Sequence, residues 1–218
     1  MIVNERITGY IRSLDQGDGS LCGEIEKKAR AEDIPIIRRE TAALLKAIIV
    51  GKQPKKILEV GTAVGYSALL MCRVMPEDCH ITTIEKYAPR IAEARKNFQK
   101  AGEEGRITLL EGDATDWLTS LCRDKAQFDL IFMDAAKGQY LHWLPMILDL
   151  LPAGGILFSD NVFQEGDIAQ SRFAVERRDR TIHKRMREYL YELTHHSRLQ
   201  TSLIPIGDGA ALSVKKYS

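Results

Sequence analysis

Residues 57–67 read Ile-Leu-Glu-Val-Gly-Thr-Ala-Val-Gly-Tyr-Ser, a short apolar run that breaks at a glycine and passes into a helical pattern. The small residues Gly61, Ala63 and Gly65 let a chain turn sharply off a strand and let a ligand approach the backbone. The same rhythm continues downstream. Strand candidates lie at 57–60, 81–85, 107–110, 128–133 and 155–159, and helical patterns start at about Tyr66, Pro89, Thr115 and Tyr140. Such alternation predicts an α/β fold with a mostly parallel sheet covered on both faces. Near the end, 202–206 and 210–215 flank Gly207-Asp208-Gly209, which predicts a closing antiparallel hairpin.

Upstream, Ile7, Ile11 and Leu14 recur at helical spacing, as do Leu21, Ile25 and Ala29. Pro35 is expected to end the second of these helices, and Leu44, Leu45, Ile48 and Ile49 mark a third. The 218 residues therefore read as one domain, with extra N-terminal helices over 1–54 and an α/β core over 55–218. A net charge of +1 gives no global field, so a nucleic-acid partner would need a local patch. Cys22, Cys72, Cys79 and Cys122 form no C-x-x-C pair and no zinc spacing, and are expected to be reduced thiols. The N-terminus lacks the apolar region of a signal peptide, and no apolar run is long enough to span a bilayer. The expectation is a cytoplasmic protein with no membrane partner.

Ligands of open α/β sheets bind at the carboxyl ends of the strands, and three successive strand ends carry suitable residues. The first supplies Glu59, Gly61 and Gly65. The second ends in Glu85, suited to accept hydrogen bonds from both hydroxyls of a ribose, or simply a surface glutamate. The third leads into Asp113 and Ala114. Asp113 is placed either to accept from an adenine amino group or to cap the following helix. The spacing departs from the dinucleotide fingerprint, which would need glycine at 63 and 66 and finds Ala63 and Tyr66. A nicotinamide-dependent oxidoreductase is therefore the weaker reading.

The fourth strand runs into Asp134 and Lys137, the fifth into Asp160 and Asn161. Two carboxylates and an amide oxygen, without sulfur or imidazole, suit Mg²⁺ better than zinc or copper. Asp160-Asn161 is also a common turn opening, and Asp134 an ordinary strand-end residue. Lys137 follows Asp134 closely enough to reach the same cavity, as general base or as counter-charge to the acids. Tyr140 and Trp143 belong either to the acceptor wall or to helix packing.

The segments Glu-Val-Gly-Thr-Ala-Val-Gly-Tyr-Ser, Met-Asp-Ala-Ala-Lys and Ser-Asp-Asn resemble those of the cation-dependent, catechol-type O-methyltransferases over nearly the whole chain. The resemblance implies the S-adenosylmethionine-dependent, Rossmann-like methyltransferase fold with a seven-stranded sheet. It implies S-adenosylmethionine and Mg²⁺ as cofactors, and Asp134, Asp160 and Asn161 as metal ligands. Glu85 and Asp113 would hold ribose and adenine, Gly61 and Ser67 would line the methionine side, and Ile37 would make an apolar contact. Family members commonly form homodimers, a role the N-terminal helices would suit. Within the family, Asp-Ile-Pro-Ile-Ile at 33–37, the run at 134–140 and the closing hairpin are most similar to bacterial tRNA 5-hydroxyuridine methyltransferases. The run at 162–175 matches less well and is expected to cover the acceptor.

Beyond it lie Arg177, Arg178, Arg180, Lys184, Arg185 and Arg187, interrupted by acids. Arg177, Arg180, Lys184 and Arg187 would share one helix face, with Ile182, Met186, Tyr189, Leu190 and Leu193 on an apolar stripe. A basic flank on a buried stripe suits phosphate contacts, and it equally describes any solvated surface helix. The resemblance favours tRNA as acceptor. A small catechol or phenylpropanoid is the alternative with the same chemistry, and a non-catalytic RNA-binding protein a more distant one.

Overall fold

The first strand shows why the sheet is central. From Ile57 to Val60 every residue is buried, as a parallel strand covered by helices on both faces requires. Alternation places Ile57 in one apolar layer and Leu58 and Val60 in the other. The computed structural model describes residues 3–171 and 173–217; Met1, Ile2, Arg172 and Ser218 lie outside the described residues.

The chain runs α1 (Glu5–Ser13), α2 (Gly19–Ala31), α3 (Arg39–Lys52), β1 (Lys56–Val60), α4 (Tyr66–Cys72), β2 (His80–Glu85), α5 (Ala88–Ala101), β3 (Ile107–Glu111) and α6 (Ala114–Arg123). It continues with β4 (Leu130–Met133), α7 (Tyr140–Leu150), β5 (Ile156–Asp160), α8 (Arg180–His195), β6 (Leu199–Ile204) and β7 (Ala210–Lys215). The sheet order is β3-β2-β1-β4-β5-β7-β6. The first five strands pair in parallel, and β7 runs antiparallel to both β5 and β6. This is the mostly parallel, seven-stranded methyltransferase-type sheet with the hairpin and N-terminal helices expected. α2 to α5 supply the core on one face through residues such as Ile25, Leu45, Leu69 and Phe98. α6 to α8 cover the other through Leu118, Ile147, Met186 and Tyr189. The strand order reverses between β1 and β4, so their carboxyl ends open a crevice there.

Several details differ from the sequence reading, among them two boundaries and one buried face. α2 ends before Pro35, because Asp33 turns left-handed at φ 51°. The Asp33 amide then reaches Arg30 O at 3.4 Å and the Ile34 amide reaches Ala29 O at 2.8 Å, which satisfies the last carbonyls without a proline. β6 lies at Leu199–Ile204 rather than 202–206, since Pro205 has no N–H to pair with β7. On α8, Ile182 is exposed and His183 takes its place on the buried stripe with Met186, Tyr189, Leu190 and Leu193.

Gly65 begins α4 with φ 81°, and a Cβ there would stand 2.5 Å from the ring of Phe98, itself buried. Gly65→Ala is expected to lower stability by roughly 1–3 kcal/mol through strain and overpacking. Urea unfolding should show a lower midpoint at unchanged slope, and an unmoved midpoint would contradict this packing account.

Candidate active site

A cleft of about 460 Å³ opens at the strand ends, on the crevice between β1 and β4. Of the residues assigned to the cofactor, Ile37, Gly61, Ser67, Glu85, Asp113 and Ala114 line it. Asp134, Lys137 and Asn161 form another part of its wall. Gly61 has φ 105°, and any side chain there would collide with the Asp134 carbonyl. The first glycine therefore sets how closely the β1 turn meets the end of β4.

Glu59 and Gly65 stand behind this wall rather than on it. Glu59 is fully buried in β1 and accepts hydrogen bonds from Ser67 Oγ and Thr83 Oγ1, each at 2.5 Å. Burial pushes its carboxyl up to about 7, against those hydrogen bonds, with Asp134 and Glu85 adding repulsion. Its effect on the cleft is indirect, through the orientation of Ser67. Gly65 serves the packing of α4 on α5.

Glu85 ends β2 with its carboxylate fixed by three backbone amides: Ala63 N at 2.9 Å, Lys86 N at 2.9 Å and Tyr87 N at 3.0 Å. Ala63 can offer its amide because it adopts φ 45° in the turn after β1. The two turns thus position each other, and Glu85 retains lone pairs directed at the cleft. Asp113 takes the capping role, its Oδ1 accepting from Thr115 N at 2.9 Å at the start of α6, and also stands in the cleft wall. That backbone hydrogen bond is the largest influence lowering its pKa, and Lys86 adds to it.

The acids of β4 and β5 meet at the neighbouring strand ends. The register Met133↔Ser159 carries Asp134 and Asp160 to adjacent positions. Asp160 is 1% exposed. Its Oδ1 accepts from Asn161 N at 2.7 Å, and its Oδ2 is buried with no hydrogen-bond partner. Burial raises the pKa of both carboxyls, Asp160 to about 7, and Asp134 pushes Asp160 further up. Lys137 opposes both shifts, and its Nζ donates to Asn161 Oδ1 at 3.3 Å. Among the described residues, no three His, Cys, Asp or Glu side chains converge as a metal site. The donors here are two carboxylates and the Asn161 amide oxygen. An orphaned carboxylate oxygen beside a second buried acid fits a hard divalent cation, because such a pair is costly without added positive charge.

Tyr140 is fully buried; its hydroxyl donates to Met133 O at 3.0 Å and accepts from Ala135 N at 3.2 Å. It packs and braces the end of β4 and is no acceptor wall. Trp143 does line the cleft, but its indole N–H bonds Thr115 Oγ1 at 3.0 Å, beside Asp113. It belongs to the Asp113 end of the cleft. Sequence reasoning missed Asp208, legible there only as a turn residue. Its buried carboxylate accepts from the Glu165 amide and lies close enough to Asp160 and Lys137 to influence their charges.

The basic run divides. Arg177 and Arg178 precede α8, so they do not share its face. Arg180 donates to Val175 O at 3.2 Å, and Arg187 to Ile168 O at 3.3 Å, both bracing the segment after β5. Arg185 donates to Gly138 O at 3.1 Å and ties α8 to the turn bearing Lys137. Arg177, Arg178 and Lys184 stay exposed. The cysteines are free, three of them buried, and among the described residues no helix is long and apolar enough to cross a membrane.

Because Asp160 must lose its proton inside a desolvated, acidic corner, Asp160→Asn is expected to stabilise the metal-free protein at pH 8, by on the order of 1 kcal/mol. The sign follows from the raised pKa: the folded carboxyl binds its proton more tightly, so stability falls as pH rises toward about 7 and stays lower above it. Thermal unfolding should also show stabilisation of the parent chain by Mg²⁺ and none for Asp160→Asn. Equal Mg²⁺ shifts in both proteins would contradict the assignment.

The cleft geometry has counterparts. The O-methyltransferase family profile matches residues 22–216. A caffeoyl-CoA O-methyltransferase of Populus kitakamiensis is 35% identical over 161 residues, covering 72% of this chain and 68% of that protein. The solved structure of a candidate caffeoyl-CoA O-methyltransferase from Staphylococcus aureus superposes with a TM-score of 0.87 at 30% identity, over 95% of this chain and 98% of that one. A methyltransferase from Podospora anserina, solved with bound S-adenosylhomocysteine, gives 0.85 at 27% identity, over 98% and 95% of the two chains. A nicotinamide oxidoreductase is set aside by these likenesses. With the family profile spanning both the sheet and the paired strand-end acids, the chain belongs to the O-methyltransferase family.

Proposed function

We propose that the chain transfers the methyl group of S-adenosylmethionine to a ring hydroxyl in a Mg²⁺-dependent reaction, and that its acceptor is 5-hydroxyuridine at the tRNA wobble position, yielding 5-methoxyuridine. The observation that carries the reaction type is the unpartnered Asp160 Oδ2 beside Asp134, on strand ends that adjoin the cleft holding Glu85 and Asp113. A divalent cation held by Asp134, Asp160 and Asn161 would stabilise a phenolate-like oxygen and lower the pKa of its hydroxyl. Glu85 would accept from the ribose hydroxyls, Asp113 from the adenine amino group, and Ser67 would border the methionine portion. Lys137 Nζ, 3.3 Å from Asn161 Oδ1, would take the hydroxyl proton in its neutral amine form, which a neighbouring divalent cation favours, and would then balance the acids as a cation. The remaining contribution is positional: the walls hold oxygen, methyl carbon and sulfur in line.

For tRNA, the support is the position of the basic residues. α8 is tied to the Lys137 turn through Arg185, and the exposed Arg177 and Arg178 lie in the chain between Val175 and Asp179, which line a depression with Lys137. A polynucleotide whose base enters the cleft would run its phosphates past these arginines. A small phenol is favoured instead by the relatives named for caffeoyl-CoA and catechol. The exposed stripe Ile7, Tyr10, Ile11 and Leu14 on α1 supports the further proposal of a homodimer, which sedimentation would check.

Assays with S-adenosylmethionine and Mg²⁺ on tRNA carrying 5-hydroxyuridine should yield 5-methoxyuridine, with kcat/KM falling steeply as salt rises. Catechol and caffeoyl-CoA should be poor acceptors. Asp134→Ala should abolish transfer with the fold intact. Efficient turnover of the small phenols alone would overturn the tRNA assignment, and undiminished activity after EDTA would overturn the metal-assisted reaction.

A further inference from the structure

Phe173 is 83% exposed, the most exposed of the large hydrophobic side chains described. A lone surface phenyl needs no explanation; its setting is what distinguishes this one. The turn that carries it is held from several sides. Arg180 donates to Phe173 O at 3.4 Å and to Val175 O at 3.2 Å, Ser171 Oγ accepts from Phe173 N at 3.4 Å, and Ala174 N bonds Ser171 O at 2.9 Å. Val175, two residues on, is buried and lines a depression with Lys137, Asp179 and Asp208, on the acceptor side of the cleft. Arg177 and Arg178 follow on the same turn, both exposed. Among the described residues Arg178 pairs with the exposed Glu176 at 3.0 Å and the half-buried Asp179 at 3.5 Å, and such surface pairs are readily exchanged for a phosphate. Among the described residues Arg177 makes no ion pair. A braced aromatic with two cations following it, two residues from a side chain that lines a depression with Lys137, is the composition of a single-strand stacking platform.

We propose that Phe173 stacks on an unpaired base neighbouring the methylated uridine, while Arg177 and Arg178 contact the adjoining phosphates. The occupant is single-stranded RNA rather than a second protein copy, because cations follow the ring in the chain and because the same segment lines, through Val175 and Asp179, a depression that includes Lys137. The inference rests on the tRNA reading above. Stacking on a neighbour would hold the target base splayed into the cleft, so the effect falls on RNA substrates and spares a free nucleoside.

The test uses the full-length protein with an anticodon stem-loop carrying 5-hydroxyuridine, and 5-hydroxyuridine nucleoside as the second acceptor. Phe173→Ala should raise KM for the stem-loop roughly 5- to 150-fold, the range of one lost base–aromatic stack, with kcat and nucleoside turnover unchanged. Phe173→Trp should restore the parent KM. Arg177→Ala should instead flatten the salt dependence of stem-loop binding by about one unit of log–log slope, which Phe173→Ala should leave alone. An unchanged KM in Phe173→Ala, with the parent active on the stem-loop, overturns the platform and leaves the tRNA reading standing. A parent chain inactive on the stem-loop but active on catechol overturns both. Loss of dimer in Phe173→Ala by sedimentation, with stem-loop KM unaltered, assigns the ring to a protein contact and also overturns the platform.

Discussion

Two carboxylates forced together at the tips of neighbouring parallel strands are the constraint from which the rest of this molecule follows. Asp160 is sealed from solvent with one oxygen unpartnered, and Asp134 stands one strand away in register. Burial holds both toward their neutral forms; Lys137 opposes that shift in each, and the Asn161 amide opposes it at Asp160. A fold tolerates such a pair when the site is completed by something positive. The sheet serves that end. β4 and β5 deliver the acids, Tyr140 fixes the end of β4, and the closing hairpin brings Asp208 against the same corner.

The donor cleft is built by a second device, the mutual bracing of two turns. Ala63 in the turn after β1 gives its amide to Glu85 at the end of β2, and Glu59 beneath them orients Ser67 from inside the core. Neither Glu59 nor Gly65 faces the cleft; Glu59 orients Ser67, which does, and Gly65 packs α4 on α5. The strand order reversal sets this cleft directly beside the acidic corner, and Asp134, Lys137 and Asn161 belong to both. Family membership and the fold agree with that arrangement, since the O-methyltransferase profile runs through both halves.

Much of this was legible in the residues. Period-two apolar runs and glycine turns located all seven strands, and the residues at five strand ends pointed to the cleft. Sequence fell short where a conformation depends on hydrogen bonds rather than on residue type. Asp33 stops α2 by turning left-handed, and no residue-type signal reveals that ahead of the more conspicuous Pro35. The arginines after position 176 illustrate the same limit. Spacing placed Arg177, Arg180, Lys184 and Arg187 on one face, but Arg180 and Arg187 turn inward to carbonyls and Arg177 precedes the helix. Asp208 was hidden because a Gly-Asp-Gly turn looks the same whether its aspartate faces water or a half-buried lysine.

The acidic corner is tested most directly by crystals grown with S-adenosylhomocysteine and Mn²⁺, using anomalous scattering to find the metal. The account predicts one strong peak bonded to Asp134, Asp160 and Asn161, beside the S-adenosylhomocysteine sulfur. A fully occupied nucleoside in the cleft with no metal peak at that corner would contradict it.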